Sequence, residues 1–576
     1  MPQENEPATA AERIADASGK PVANKPAREI KPRRIHWRSG LGILIGGAIA
    51  EAIVLSVYAD DDTLKIYSTL MFVFPIVAGL FILWWLFRSG FSWRIRFAGI
   101  LIALLSFASF NLRYRIDGFT GAMFPIISLQ SDPSPEERVE DYFKNVAHTA
   151  SVWQSVTAMD NPADTTEPQP LEITADDWPR FRGAQGDGVV RGVSIRTDWE
   201  KNPPKALWRH PIGPAWSSFA VAGDLLFTQE QRGEQETVVC YDALTGRQLW
   251  LHANTARHST LMGGTGPRAT PTLYKSRLYA LGATGILNCL DPQTGDVHWD
   301  TNTLKEAGAA SEAAANLQWG MAGSPLVFDD VVVVNPGGDQ GKSIIVYDRL
   351  TGEQKWASGN QRASYAAPIL ETIQGKPQLL IFDAVGAAGY DPQNGNELWR
   401  FDWSNSPKIN VAQPIVRDES LVLISSGYGT GSALLEIKND NNDNWTVKPR
   451  WRKPGRFKLK FNDGVYKNGY VYGLDEGILA CIEFKTGKQM WKRGRYGHGQ
   501  LLLIDDANLL LIQAENGSVI LVPATPSEYR ETVRFQALDG KTWNHPVLNR
   551  GRLYVRNSQE VACYDLQLRG EGETGR

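Results

Sequence analysis

The chain is short of the residues from which reactive centres are commonly assembled. Its 576 residues include only 4 cysteines and 8 histidines. No two cysteines are adjacent and none stands in C-x-x-C-H spacing, which excludes a disulfide between neighbouring cysteines and a covalently attached haem. Cys240, Cys289, Cys481 and Cys563 occupy the same position in separate copies of a recurring motif. Equivalent positions of that kind lie too far apart to be bridged, so the cysteines read as small buried apolar side chains. The close Cys or His spacing that zinc needs is missing, and no metal site is expected. An excess of one charge is lacking too: 60 Lys and Arg stand against 63 Asp and Glu, with the signs interspersed. A nucleic-acid partner is set aside on that ground. Gly427 to Gly431 has neither the lysine nor the following helix of a phosphate loop, and it reads as a turn, as does the stretch starting at Asn335.

What the chain does have is a repeat. The sequence C-Y-D-A-L-T-G-R-Q-L-W begins at Cys240 and returns from Cys289, Val346, Gly389 and Cys481, ending on Trp250, Trp299, Trp356, Trp399 and Trp491. Weaker copies run from Ala433 to Trp451, with a polar insertion at 438–444, from Leu521 to Phe535, which has lost its Trp, and from Cys563 to Leu568. Positions 242, 291, 348, 391, 436, 483, 523 and 565 mark eight copies, 40 to 57 residues apart. Four-stranded blades have spacings of roughly 40 to 50 residues. In each copy an apolar strand ends at Asp, Thr-Gly makes a tight turn, and a second strand ends on Trp. One hairpin buries too little surface alone, so Trp208, Trp250, Trp299, Trp356, Trp399, Trp451 and Trp491 are expected to dock on neighbouring blades. The fold predicted is all-β: an eight-bladed propeller over 177–568, closed by pairing Leu207 to Arg209 with Val561 to Asp565.

Three apolar runs precede it, at 41–59, 66–87 and 97–112, within a region spanning 37–114. The first two have the roughly 20 residues needed to span a hydrocarbon core, and the third is at the short end. Two further apolar runs follow the first, so it does not read as a cleaved signal peptide. Lys31, Arg33, Arg34 and Arg38 precede the first run, and Arg88, Arg94 and Arg96 lie between the second and third. The positive-inside rule then places a disordered 1–36 tail in the cytoplasm and the propeller in the periplasm, with the helices in the inner membrane. Arg113 and Arg115, past the third run, pull the other way. Glu51, inside the first run, is expected to be protonated or to bond to a neighbouring span. Residues 115–176 read as a linker with one short helix at 135–146, and 569–576 as a disordered tail.

Small residues ahead of a Pro or Val mark the inner strand of each blade. The residues at their leading ends should converge on the propeller axis: Trp216, Arg268, Trp319, Tyr365, Asn410, Asn462, His498 and Trp543, with His545 close behind. A ring of flat aromatic faces, cations and amides suits a planar or anionic ligand or a polypeptide segment, unless the aromatics simply plug the mouth. His258 stands in the longer segment 255–267, which is expected to overhang the channel.

The eleven-residue unit resembles the tryptophan-docking motif of pyrroloquinoline quinone (PQQ) propellers, A-x-D-x-x-T-G-K-x-x-W, over about Asp176 to Leu568. The opening Asp177-Trp178-Pro-Arg-Phe-Arg-Gly resembles the start of membrane-anchored PQQ-like repeat proteins of planctomycete-type bacteria. The resemblance implies a quinoprotein alcohol dehydrogenase-like fold. It also implies one of two functions: a PQQ- and calcium-dependent oxidoreductase acting on alcohols or sugars, or a noncatalytic relative. The latter group includes the BamB-like propellers of the outer-membrane barrel assembly machinery, which bind proteins. Three departures weigh against the enzyme. The adjacent cysteines of the dehydrogenases are absent, the mouth offers Asn410, Asn462 and Asp463 but no Glu for calcium, and no haem motif exists. The reading favoured is a membrane-anchored scaffold with an envelope protein partner.

Overall fold

The clear repeats turn where Asp or Glu, Thr or Asn, and Gly meet. In the first repeat Oδ1 of Asp242 accepts from the amides of Leu244 and Thr245, both at 2.9 Å, and Gly246, at φ +72°, donates back to the Asp242 carbonyl at 2.8 Å. The chain thereby passes from strand Gln235–Asp242 into Gln248–Thr255. Asp291 and Asp348 hold their turns in the same way. A computed structural model describes residues 35–57, 68–157, 171–309, 316–440 and 444–566. Among them the strands form eight antiparallel blades, at 220–255, 272–302, 326–358, 369–402, 415–454, 465–495, 500–536 and 547–565. The last takes its outer strand from Lys205–Pro211, with Trp208 opposite Cys563 and Lys205 opposite Asp565, so strands from the two ends of the repeat region close the ring. The seventh gains a short parallel strand, Val189–Val190.

The tryptophans show why single hairpins suffice. The indole N–H of Trp208 reaches the Ala243 carbonyl of the next blade at 3.1 Å, and Trp250, Trp299, Trp356, Trp451 and Trp491 bond in turn to Pro292, Arg349, Pro392, Phe484 and Thr525 at 3.0 to 3.2 Å. Five of these rings also lie flat against the turn glycine of the following blade. A Cβ on Gly246, Gly295, Gly352, Gly395 or Gly487 would fall within about 3 Å of the neighbour's indole carbons. Glycine is therefore required twice, for its positive φ and for the ring above it. Trp399 differs from the others in its hydrogen bond. Its N–H turns back to Oε1 of Gln378 in its own blade, at 2.7 Å, because the following blade carries the polar insertion in place of a Thr-Gly platform. Its ring still packs in one cluster with Val422 and Leu435 of that blade. Phe535, in the copy without Trp, meets Tyr564 edge-on at 4.9 Å and Trp199 at 5.1 Å.

Each cysteine sits across the ladder from a docking tryptophan: Cys240 from Trp250, Cys289 from Trp299, Cys481 from Trp491 and Cys563 from Trp208. All four are free and buried, and burial pushes the thiols of Cys289, Cys481 and Cys563 up to about 12. They are packing residues, inert by their environment.

Ahead of the propeller, helices Trp37–Val57 and Trp93–Arg113 are long and apolar enough to cross a membrane, and a shorter apolar helix, Phe74–Arg88, lies between them. They pack through glycine: Gly40 against Trp84, Gly47 against Val77 and Gly99 against Trp85. Thr69 donates its hydroxyl to the Glu51 carboxylate at 2.8 Å, the helix-to-helix partner that residue called for. Most of the 1–36 tail and all of 569–576 lie outside the described residues.

The stretch read as a linker carries more structure than one short helix. Strand Tyr114–Phe119 continues directly from the last apolar helix and pairs antiparallel with Pro125–Leu129. Helix Pro135–Thr157 runs beyond the 135–146 expected and lies on the seam between the last and first blades. There Tyr142 stacks on His210, 5.3 Å between centroids and 6° between planes. Glu136 pairs with Arg257 at 2.9 Å, and the Arg232 guanidinium lies 4.3 Å from the centre of the Phe143 ring.

Candidate functional site

The eight expected residues stand just ahead of the inner strands and divide into three groups. Trp216, His498 and Trp543 gather with Phe461: Trp216 and Trp543 are 5.0 Å apart between ring centroids, Phe461 and Trp543 also 5.0 Å, and Phe461 and His498 5.3 Å. Arg268 and Trp319 belong to the overhanging loop instead. Arg268 donates to the carbonyls of Gly263 and Gly264, at 2.9 and 3.1 Å, and Trp319 packs beside Gly263. Tyr365, Asn410 and Asn462 bond to neighbouring loops and to the second strands of their blades. Tyr365 bonds to the Asn316 carbonyl. The Asn410 amide donates to Asp383 and Trp403 while its oxygen accepts from Ser426, and Asn462 exchanges both amide atoms with the Leu474 backbone. Both asparagines are buried.

The mouth is filled by the chain itself. The tip of the hairpin after the last apolar helix, residues 118–123, enters the first group. The Gly121 amide donates to Oε1 of Glu515 at 2.5 Å, Nζ of Lys460 donates to the Gly121 carbonyl at 3.1 Å, and Nζ of Lys541 donates to the Phe119 carbonyl at 3.0 Å. Glu515 is fixed by the His498 amide at 3.0 Å and the Trp543 indole at 2.8 Å. The Lys541 ammonium lies over Trp216 and Trp543, 4.8 and 4.2 Å from the ring centres, and Lys460 lies over Phe461 and Tyr428, 5.0 Å from each. Each cation–π contact contributes about 0.5 to 2 kcal/mol. Loss of water holds the Lys541 amine down at about 8, with Glu515 opposing and Arg268 assisting. Burial, with Lys460 and Arg495 nearby, pushes the His498 imidazole well below its ordinary value. Gly121 has no alternative here, since a Cβ would collide with the His498 ring. Leu261 of the overhanging loop meets Gly118 from the side.

Sequence reasoning missed Lys460, Phe461, Glu515 and Lys541 as well as the occupant. Lys460, Phe461 and Lys541 stand one or two residues ahead of the expected ring positions, and Glu515 sits in a turn of blade seven. The signal for the occupant was the glycine-punctuated stretch Asp117-Gly-Phe-Thr-Gly-Ala between two short apolar runs.

The opposite end of the channel is floored by the Asp177-Trp178-Pro-Arg-Phe-Arg-Gly stretch. Trp178 bridges to Val221, and the Leu273 amide donates to Pro179 at 2.7 Å. Phe181 meets His545 at 5.5 Å. Arg182, at φ +63°, donates to Gly464 at 2.7 Å and pairs with Asp463 at 3.2 Å.

These side chains do not fit a quinone with calcium. Calcium takes six or more oxygens, including free carboxylates. The Asp463 carboxylate faces Arg182 and accepts from the Gln413 amide, the Asn410 oxygen accepts from Ser426 and that of Asn462 from the Leu474 amide, and Glu515 accepts from three N–H groups. Among the described residues no cluster of three His, Cys, Asp or Glu could hold a metal.

The fold defines an eight-bladed PQQ-type propeller, and its mouth defines a surface that grips polypeptide backbone. The family model described as outer membrane protein assembly factor BamB matches residues 187–319 and 234–493, together just over half of the chain, and the chain belongs to that family. BamB of Burkholderia pseudomallei (strain K96243) is 24% identical over 299 residues, 50% of this chain and 69% of that protein. Among solved structures, BamB from Moraxella catarrhalis is similar at 16% identity and a TM-score of 0.45, covering 63% of this chain and 99% of that one. A quinohemoprotein alcohol dehydrogenase from Pseudomonas putida HK5 is similar at 12% identity and a TM-score of 0.48, covering 71% and 85%.

Proposed function

We propose that the protein is a noncatalytic protein-binding or scaffold module of the cell envelope. Its N-terminal helices anchor it in the inner membrane, and its propeller faces the periplasm. One observation carries the reading: the channel mouth holds polypeptide backbone, through Glu515, Lys460 and Lys541. Relatives named as an outer membrane protein assembly factor support a protein partner in the envelope. The two long apolar helices support the anchor, and the periplasmic orientation rests on the shorter helix Phe74–Arg88 crossing as well, with the arginines at 88, 94 and 96 on the cytoplasmic side. The hairpin continues straight from helix Trp93–Arg113. Six extended residues cover about 20 Å, so the mouth faces the bilayer and the floor formed by residues 177–188 faces away.

A photo-crosslinker at Leu261, exposed beside the mouth, tests this in cells, together with a reporter fused after Trp491. The expected result is a discrete envelope protein crosslinked to a periplasmic propeller. Stoichiometric uptake of PQQ and calcium by the purified chain, with turnover of alcohols or aldoses, would overturn it.

A further inference from the structure

The mouth does more than close the channel. Every polar contact to the tip goes to main chain: one N–H of Gly121 and two carbonyls, those of Gly121 and Phe119. The tip is itself a turn, with the Met123 amide on the Thr120 carbonyl at 2.9 Å and Met123 at φ +68°. A site that reads backbone in this way selects shape and the absence of a side chain rather than a residue sequence. Its specificity rests at 121, where only glycine leaves room for the His498 ring. Two lysines donate to carbonyls while lying on aromatic faces, and a carboxylate is fixed by two further N–H groups, so the groups that grip the tip are held in place by the propeller itself.

We propose that the mouth is a receptor for a glycine-tipped β-hairpin, filled in cis by residues 118–123 and open to the same structure on a partner polypeptide in trans. The proposal rests on the protein-binding reading and names the partner's recognised element. A tethered segment acts at an effective concentration on the order of millimolar, so the chain's own tip holds the mouth against weak competitors and yields to a hairpin presented with additional contacts. Because the tip continues from helix Trp93–Arg113, a partner that displaces it also frees the propeller's mouth from its membrane-proximal support.

The test uses the full chain in nanodiscs and a fluorescent cyclised peptide copying residues 114–129. Gly121→Trp in the chain expels its own tip while leaving the receptor residues untouched. Gly121→Ala, which adds only the colliding Cβ, serves if the larger substitution impairs folding. The peptide is expected to bind the variant and not the wild type. Glu515→Ala added to the variant should abolish binding, and a peptide carrying alanine at the glycine should bind at least about tenfold more weakly, about 1.4 kcal/mol. Equal binding to wild type and variant, or no binding to a folded variant, overturns the receptor. Failure of the peptide with successful envelope crosslinking would remove this inference and leave the scaffold reading standing. Peptide binding without any crosslinked partner would do the reverse.

Discussion

The backbone N–H of Gly121 and the carboxylate of Glu515 stand 394 positions apart in the sequence and meet at the mouth of the propeller. That bond joins the membrane-proximal hairpin to the seventh blade, and its acceptor is held by His498 and Trp543 from two different blades. Glu515→Ala removes the acceptor and leaves three N–H groups unmet. A loss of about 1 to 3 kcal/mol in hairpin docking is expected, read as faster proteolysis within residues 114–129 with the thermal midpoint of the blades little changed.

The stacking of each turn glycine on its neighbour's tryptophan predicts an asymmetry between blades. Trp299→Ala opens a space between the second and third blades and removes the bond to Arg349, and should cost about 3 to 5 kcal/mol. Gly352→Val, at φ +74° beneath the same indole, should cost about 1 to 3 kcal/mol. Trp399→Phe should cost more than Trp299→Phe, because it leaves the buried Gln378 Oε1 without its donor, whereas the Arg349 carbonyl keeps the Tyr279 hydroxyl. Thermal unfolding of the four variants checks the order.

The seam between the last and first blades holds a buried charge network. Glu230 pairs with Arg232 at 3.0 Å and accepts from Tyr241, while Arg556 donates to Thr228, Gln229 and Gly213. Burial pushes the Glu230 carboxyl up, but Arg232 and Arg556 outweigh it and hold it below its ordinary range. Glu230→Gln leaves two buried guanidiniums short of a counter-charge and should cost about 3 to 5 kcal/mol. The double variant with Arg556→Met should recover part of the loss, measured by urea unfolding.

Part of the acid sensitivity should come from His545, beside that of His498. Burial, with Arg182 adding to it, lowers the His545 imidazole from 6.5 to about 3. Between those values the unfolded chain takes up a proton that the folded chain refuses. The contribution is therefore complete above pH 6.5 and falls as the pH drops through the window, by about 1.4 kcal/mol per unit at its steepest. His545→Gln should flatten the fall in urea midpoint between pH 6.5 and 4, and an unchanged slope would place the acid response elsewhere.

The propeller was legible because its determinants are local and repeated. Asp, Thr-Gly and Trp at fixed spacing set each turn and each dock, and the lone Leu207 to Arg209 strand had a single vacant partner. The docking of Trp399 on the next blade follows from its repeat, but its bond to Gln378 depends on a turn missing from that blade, which its own repeat does not record. The mouth was legible in part. Trp216, His498 and Trp543 followed from their place ahead of inner strands, whereas Asn410 and Asn462 share that place but spend their amides within the protein, on Asp383, Trp403, Ser426 and Leu474. The occupant was hidden for a different reason. A hairpin of two short strands has little apolar periodicity of its own, and its stability comes from Glu515, Lys460 and Lys541, more than three hundred residues along the chain.

Hydrogen exchange of residues 118–123, followed by mass spectrometry on the full chain in nanodiscs with and without saturating PQQ and calcium, tests the central claim most directly. The account predicts a protected Gly121 amide whose exchange the cofactor leaves unchanged. Exchange at the rate of a free peptide, or loss of protection together with stoichiometric quinone uptake, would contradict it.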